Sequence, residues 1–173
     1  MKKLFKVLFL GVALFVLNGV AQAQVKLAHI NSSEIMEAMP ESATAQKALE
    51  KYAAELQAQL QAMGTEYQNK VQDYQANEAT MSNLVKQSKE KEILDLQNRI
   101  EQFQANAEKE YANKQLELLQ PIIEKIQNAV DALGKEKGYT YIIDRAAAPG
   151  VIVYVGDDAV DITNDVKTKL GIK

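Results

Sequence analysis

Residues 45–74 read AQKALEKYAAELQAQLQAMGTEYQNKVQDY, and their spacing decides the architecture. The apolar positions Ala45, Leu49, Tyr52, Leu56, Leu60, Met63, Tyr67, Val71 and Tyr74 advance in steps of 4, 3, 4, 4, 3, 4, 4 and 3. Three rows result, each recurring after 11 residues: Ala45, Leu56 and Tyr67; Leu49, Leu60 and Val71; Tyr52, Met63 and Tyr74. Eleven residues in three turns is a period of about 3.67, close to that of a straight α-helix. The stretch therefore predicts one long helix with a single apolar stripe.

The same interval returns downstream. Ile100, Tyr111, Ile122 and Leu133 stand 11 apart, and Leu96, Phe103, Ala107, Leu118, Ile126 and Ala129 fill out the stripe. Between the two segments lies NEATMSN at 77–83, where the stripe has no place and where Ser82 or Asn83 suits a helix N-cap. One continuous rod is the competing geometry. Two matching stripes separated by a polar break instead predict an antiparallel hairpin with its tip near 77–83. Arms of about 36 and 55 residues, at about 1.5 Å per residue, give a hairpin reaching roughly 50 Å. Over 41–137 Gly and Pro occur only at Gly64, Pro121 and Gly134. Pro121 is expected to bend the second arm and Gly64 to loosen the first.

The ends differ in kind. VKLAHI at 25–30, YTYIID at 139–144 and VIVYV at 151–155 are short, rich in β-branched and aromatic residues and bounded by turn formers, and read as three strands. The last is apolar on both faces, which requires cover on both sides. A short helix is expected over 33–39, with Pro40 opening the next. DITNDVKTKL at 161–170 reads as a final helix capped by Asp161 or Thr163 and stopped by Gly171. Residues 24–40 and 138–173 thus form a β-rich association body, and 41–137 an arm. Three strands are too few for a sheet with its own core, so partner chains are expected to complete it. This reasoning leaves the number of copies open.

Composition narrows the function. The chain of 173 residues has no Cys and one His, which excludes disulfides, thiolate metal sites and a cysteine nucleophile and disfavours a histidine metal centre. Three Lys in the first six residues, an apolar run at 7–17 and Ala21-Gln22-Ala23 predict a cleaved export signal over 1–23, and hence a bacterial periplasm. Without Lys2, Lys3 and Lys6 the chain carries 17 basic against 23 acidic side chains, a net of −6. That argues against nucleic acid as a partner and allows at most peripheral membrane contact. No phosphate-binding loop, dinucleotide fingerprint or nucleophile elbow occurs, so no cofactor and no enzymatic activity are expected.

The order of LAHINSSEIM at 27–36, Pro40-Glu41 before a long helical hairpin, YIID at 141–144 and DITNDV at 161–166 resembles the Skp/OmpH family of periplasmic chaperones across nearly the whole chain beyond the signal. The resemblance implies an α+β, mainly α fold: a long helical hairpin, or tentacle, on a small β body completed by trimerisation. It implies ATP-independent holding of unfolded outer-membrane β-barrel proteins in a cavity between three tentacles. By matching position, Leu27, Ile30, Ile142, Ile143, Val151 and Val153 would build the trimer body, with Asp161, Ile162, Thr163, Asp165 and Val166 beginning the helix that seals it. The best-known members are strongly basic, whereas residues 41–137 here carry 12 basic and 16 acidic side chains. A lipopolysaccharide site therefore does not carry over. Lys86, Lys89 and Lys91 form the one basic cluster, offset by Glu90 and Glu92.

The arms suit many weak contacts, with 14 Gln between Gln46 and Gln127 diluting the stripes. Tyr52, Tyr67, Tyr74, Phe103 and Tyr111 offer apolar area with, for the tyrosines, a polar handle to an unfolded client. Packing of one arm on the other is an equal alternative for these residues. Leu84, Val85, Leu94 and Ala105, off the stripe or at its end, are candidates to face the client instead. A structural coiled-coil spacer of the envelope is the alternative function. His29 is expected as a satisfied residue of the body. Asp157, Asp158, Asp161 and Asp165 lack the pattern of a calcium loop and read as caps and solvated charges.

Overall fold

A computed structural model describes residues 25–147, 150 and 152–172 of the protein. The export signal expected over 1–23 and the expected body residue Val151 lie outside these. Strand β1 (Leu27–Ile30) leads into helix α1 (Ser32–Ala38), whose N-cap Asn31 accepts a hydrogen bond from the Glu34 N–H at 3.2 Å. Extended Met39 then turns the chain into α2 (Pro40–Asn77), where Pro40 occupies the first turn and needs no hydrogen-bond donor. A single 3₁₀ turn (Glu78–Thr80) reverses the chain into α3 (Asn83–Lys137), capped by the Ser82 hydroxyl accepting from the Val85 N–H. Strand β2 (Tyr141–Asp144) and α4 (Thr163–Lys169) follow.

The two long helices, of 38 and 55 residues, form the hairpin. All nine stripe residues of α2 turn inward, Ala45 and Leu49 fully buried and the others half-buried. Helix α3 continues unbroken through Pro121, where a bend is expected from the sequence. Just beyond it, where Pro121 cannot donate a backbone hydrogen bond, Ile122 and Ile126 are buried in the core. Gly138, at φ +67°, ends α3 in the left-handed conformation that only glycine adopts without strain. The Lys26 ammonium donates to the exposed Lys137 carbonyl at 2.6 Å.

Strands β1 and β2 pair in parallel, with Leu27 opposite Tyr141 and Ile30 opposite Asp144. Parallel neighbours require a crossover connection, and here the crossover is the entire hairpin. The third strand expected over 151–155 is not formed by residues 152–155, where Val153 and Tyr154 are exposed. A segment apolar on both faces needs a neighbouring strand and two covers, and among the described residues no strand pairs with 152–155. The other edge of β1 is instead bridged by the backbone of 160–162: His29 N–H donates to the Val160 carbonyl at 2.9 Å, and Ile162 N–H donates to the His29 carbonyl at 3.0 Å.

The base also has a core of its own, contrary to the expectation that the strands depend wholly on partner chains. Helices α1 and α4 pack on each other and on the lower part of α3. They bury Ile35 (0% exposed), Ile162 (1%) and Val166 (0%) together with Ala28, Ile30, Met39 and Leu133. Helices thus supply the cover that extra strands were expected to provide.

Candidate binding surface of the helical arms

The seam between α2 and α3 accounts for four of the nine residues expected to contact a client. Tyr52, Tyr67, Tyr74 and Phe103 are half-buried along it. Leu84 (77% exposed), Val85, Leu94 (56%) and Tyr111 are exposed, as is Ala105. A groove opens to solvent beside the seam. Leu56, Leu60, Phe103, Ala107 and Tyr111 border an open recess of about 500 Å³, which reflects the small Ala and polar Gln side chains interleaved with the stripe.

Toward the tip, polar contacts replace apolar ones. Lys70 pairs with Glu92 at 3.0 Å, Lys89 with Asp73 at 2.6 Å and Lys86 with Glu78 at 3.7 Å, while the Tyr74 hydroxyl donates to Glu90. The hydrogen bond from Lys89 holds the Asp73 carboxyl below its ordinary range, and that from Lys70 does the same for Glu92. The Glu90 carboxylate pushes the Tyr74 phenol up to about 12. Lys86 and Lys89 of the basic cluster thus already have acidic partners on the hairpin itself. At the root, Lys125 pairs with Glu41 at 2.5 Å and lowers that carboxyl in turn.

In the base, the residues expected to form a trimer body separate. Ile30, Ile162 and Val166 lie inside the chain's own core, and Ile142 is half-buried. Leu27, Ile143 and Val153 are exposed, next to exposed Tyr141, Tyr154 and Val160. Leu27, His29, Ile143, Tyr154 and Val160 line an apolar recess of about 360 Å³. His29 is 8% exposed, and its Nδ1 has no hydrogen bond, so the satisfied histidine expected from the sequence is corrected. The nearest acid is Asp161, at 3.7 Å.

Asp161 joins three segments. One carboxylate oxygen accepts from the Thr163 N–H at 2.9 Å and from its hydroxyl at 2.6 Å, and the other faces His29 and, at 3.9 Å, Arg145. Burial opposes its ionisation, but the Thr163 hydrogen bonds and the two basic neighbours prevail and hold it below the usual carboxylate range. Asp144 is similar: burial is outweighed by hydrogen bonds from Ser32 and Ala146, and the pKa again falls. Asp165 pairs with Lys137 at 2.6 Å. Among the described residues no group of three or more His, Cys, Asp or Glu side chains is placed to hold a metal ion, and no helix is long and apolar enough to cross a membrane.

Two further exposed side chains stand on α3, Leu116 (65% exposed) and Ile123. Neither lies on the apolar stripe. An interval of 11 running from Leu94 through Ala105 to Leu116 is the signal that would have marked the first.

Comparison with known proteins places these features in context. The family described as Outer membrane protein (OmpH-like) matches residues 26–170. The relative named Chaperone protein Skp from Yersinia enterocolitica is 31% identical over 166 residues, covering 96% of this chain and 97% of its own. The Skp of Pectobacterium atrosepticum is 32% identical, over 84% of this chain and 85% of its own. A crystal structure of an OmpH-like outer membrane chaperone from Caulobacter crescentus superposes with a TM-score of 0.71 at 15% identity, covering 87% of this chain and 86% of that one, and so shares the fold. These relatives are named as chaperones, not enzymes. On the match of 145 consecutive residues, supported by relatives at about 30% identity along most of its length, the chain belongs to the Skp/OmpH family.

Proposed function

We propose that this protein is an ATP-independent holdase of the bacterial periplasm, exported by its first 23 residues, that keeps unfolded outer-membrane β-barrel polypeptides from aggregating. The observation that carries the reading is a hairpin of two long helices standing on a small base, with exposed apolar side chains on α3. A client of this kind presents alternating apolar residues that remain unsatisfied until it reaches a bilayer. Contacts that are individually far weaker than the roughly 1.5–3 kcal/mol of a fully buried side chain hold it loosely. Insertion into the membrane then outcompetes them without nucleotide hydrolysis.

The working form in this proposal is a homotrimer, with three arms around a shared space. What supports self-association is the exposed apolar face of the base, formed by Leu27, Tyr141, Ile143, Val153 and Tyr154 beside a two-stranded sheet. The acidic arms give no reason for nucleic acid or lipopolysaccharide to bind. Two measurements test the reading. Diluting an unfolded β-barrel protein from urea should give much less light scattering when the chain is present and no ATP is added. Unchanged scattering overturns it. Sedimentation should give a mass three times that of one chain, and a single-chain mass at micromolar concentration removes the trimer.

A further inference from the structure

The two helices of the arm differ on the faces they turn away from each other. Among the described residues, α2 exposes no large hydrophobic side chain, whereas α3 exposes Leu84, Val85, Leu94, Tyr111, Leu116 and Ile123. Three of these belong to one pattern. Leu94, Ala105 and Leu116 follow each other at 11 residues, and Ala112 and Ile123 repeat that interval beside them. The seam row Leu96, Ala107 and Leu118 has the same interval, displaced by two residues. Two residues are about 200° around an α-helix, so Leu94, Ala105 and Leu116 run down the side opposite the seam. From Leu94 to Ile123 the row extends about 44 Å at 1.5 Å per residue.

Resting on the holdase reading, we infer that this outer row of α3, and not the seam, is the surface on which the arm receives an extended apolar segment of an unfolded polypeptide. The seam residues are already half-buried against their own partner helix. The spacing of the outer row argues against a folded occupant. A second helix, including the arm of another copy, needs apolar residues about every 3.5 positions for a continuous seam. Here large aliphatic residues stand only at 94, 116 and 123, with Asp95, Asn98, Glu101 and Lys109 among the intervening positions. The apolar area is too discontinuous for a stable helix pair. A flexible chain has no such requirement, because it adjusts between anchor points and meets each aliphatic side chain separately. Ala105 and Ala112 keep the backbone of the row accessible between them.

The test compares the wild-type chain with a rail variant, Leu94→Glu/Leu116→Glu/Ile123→Glu, and a charge-matched control on exposed positions of α2, Gln61→Glu/Gln68→Glu/Gln72→Glu. Affinity is read by titrating each protein into a fluorescently labelled β-barrel polypeptide freshly diluted from urea. The exposed positions predict wild-type helicity and solution mass for both variants. The rail variant should bind at least tenfold more weakly and the control within twofold of wild type. A rail variant within twofold of wild type, or an equal loss in both variants, overturns the inference. A photoreactive residue at position 116 in the otherwise wild-type chain gives a second reading that does not depend on the triple variant folding. Crosslinks to the client from 116 but not from 61 support the row, and their absence overturns it. Failure of the wild-type chain to bind or to suppress scattering is a separate result, which removes the holdase reading and this inference with it.

Discussion

The base and the arms use the same kinds of apolar residue to different depths. In the base, Ile35, Ile162 and Val166 fall to 0–1% exposure within short elements. In the arms Leu96 is buried to 2% exposure, but Leu56, Leu60, Met63, Tyr67 and Val71 remain only half-buried along a much longer helix. The cause is the number of neighbours. A helix in the base touches strands and other helices on several sides, while each arm helix has one neighbour and can bury one stripe. Local stability should therefore decline from base to tip.

The strongest way to break this comparison is to empty the two regions equally. Ile162→Ala should cost about 2–5 kcal/mol, and Leu60→Ala, starting half-exposed, about 1 kcal/mol. Urea titrations followed by circular dichroism measure both, and equal losses would show that burial in the base has no special weight. Next is the junction between the regions. Gly138→Ala places a Cβ at φ +67° and should cost about 1–2 kcal/mol, read as a lower melting temperature.

Acid sharpens the contrast further. Asp144 and Asp161 in the base have depressed pKa values, so the stability they add is complete above about pH 5 and is lost as pH falls below 3.8 toward their folded-state values. Asp161→Asn should remove part of that acid sensitivity while leaving the pH 7 helicity of the arms unchanged, as followed by acid titration of the circular dichroism signal. The smallest effect belongs to the tip. Its cross-arm ion pairs are exposed, and exposed pairs are weak and screened by salt. Raising salt to 1 M should speed amide hydrogen exchange around Asp73 and Lys89 by a few-fold at most and leave the amides of Ile162 and Val166 unaffected.

The hairpin is legible because its evidence is repetitive. Ala45 through Tyr74 restate one interval, and the polar residues at 77–83 interrupt it where the 3₁₀ turn of Glu78–Thr80 stands. Strands β1 and β2 are legible from VKLAHI and YTYIID for the same local reason. The failures concern partners that local pattern does not identify. Residues 152–155 look like a strand, but strand formation depends on a neighbour, and the backbone that bridges β1 comes from the short 160–162 segment. The cover given to the base by α1 and α4 is likewise a tertiary fact. His29 is a polar residue among apolar ones in either view, and only the structure leaves its Nδ1 without a hydrogen bond. Leu116 and Ile123 are not marked by local pattern, because a sparse outer row has too few members to stand out from an Ala- and Gln-rich helix.

Since β1 pairs across the whole hairpin with β2, the limb is a single insertion between two adjoining strands. Excising one 11-residue block from each helix would shorten it by about 16 Å while keeping every stripe row in phase and both strand ends where they are. Reach and attachment are thus separate variables: the length of the limb can be extended or trimmed in fixed increments without redesigning the platform beneath it.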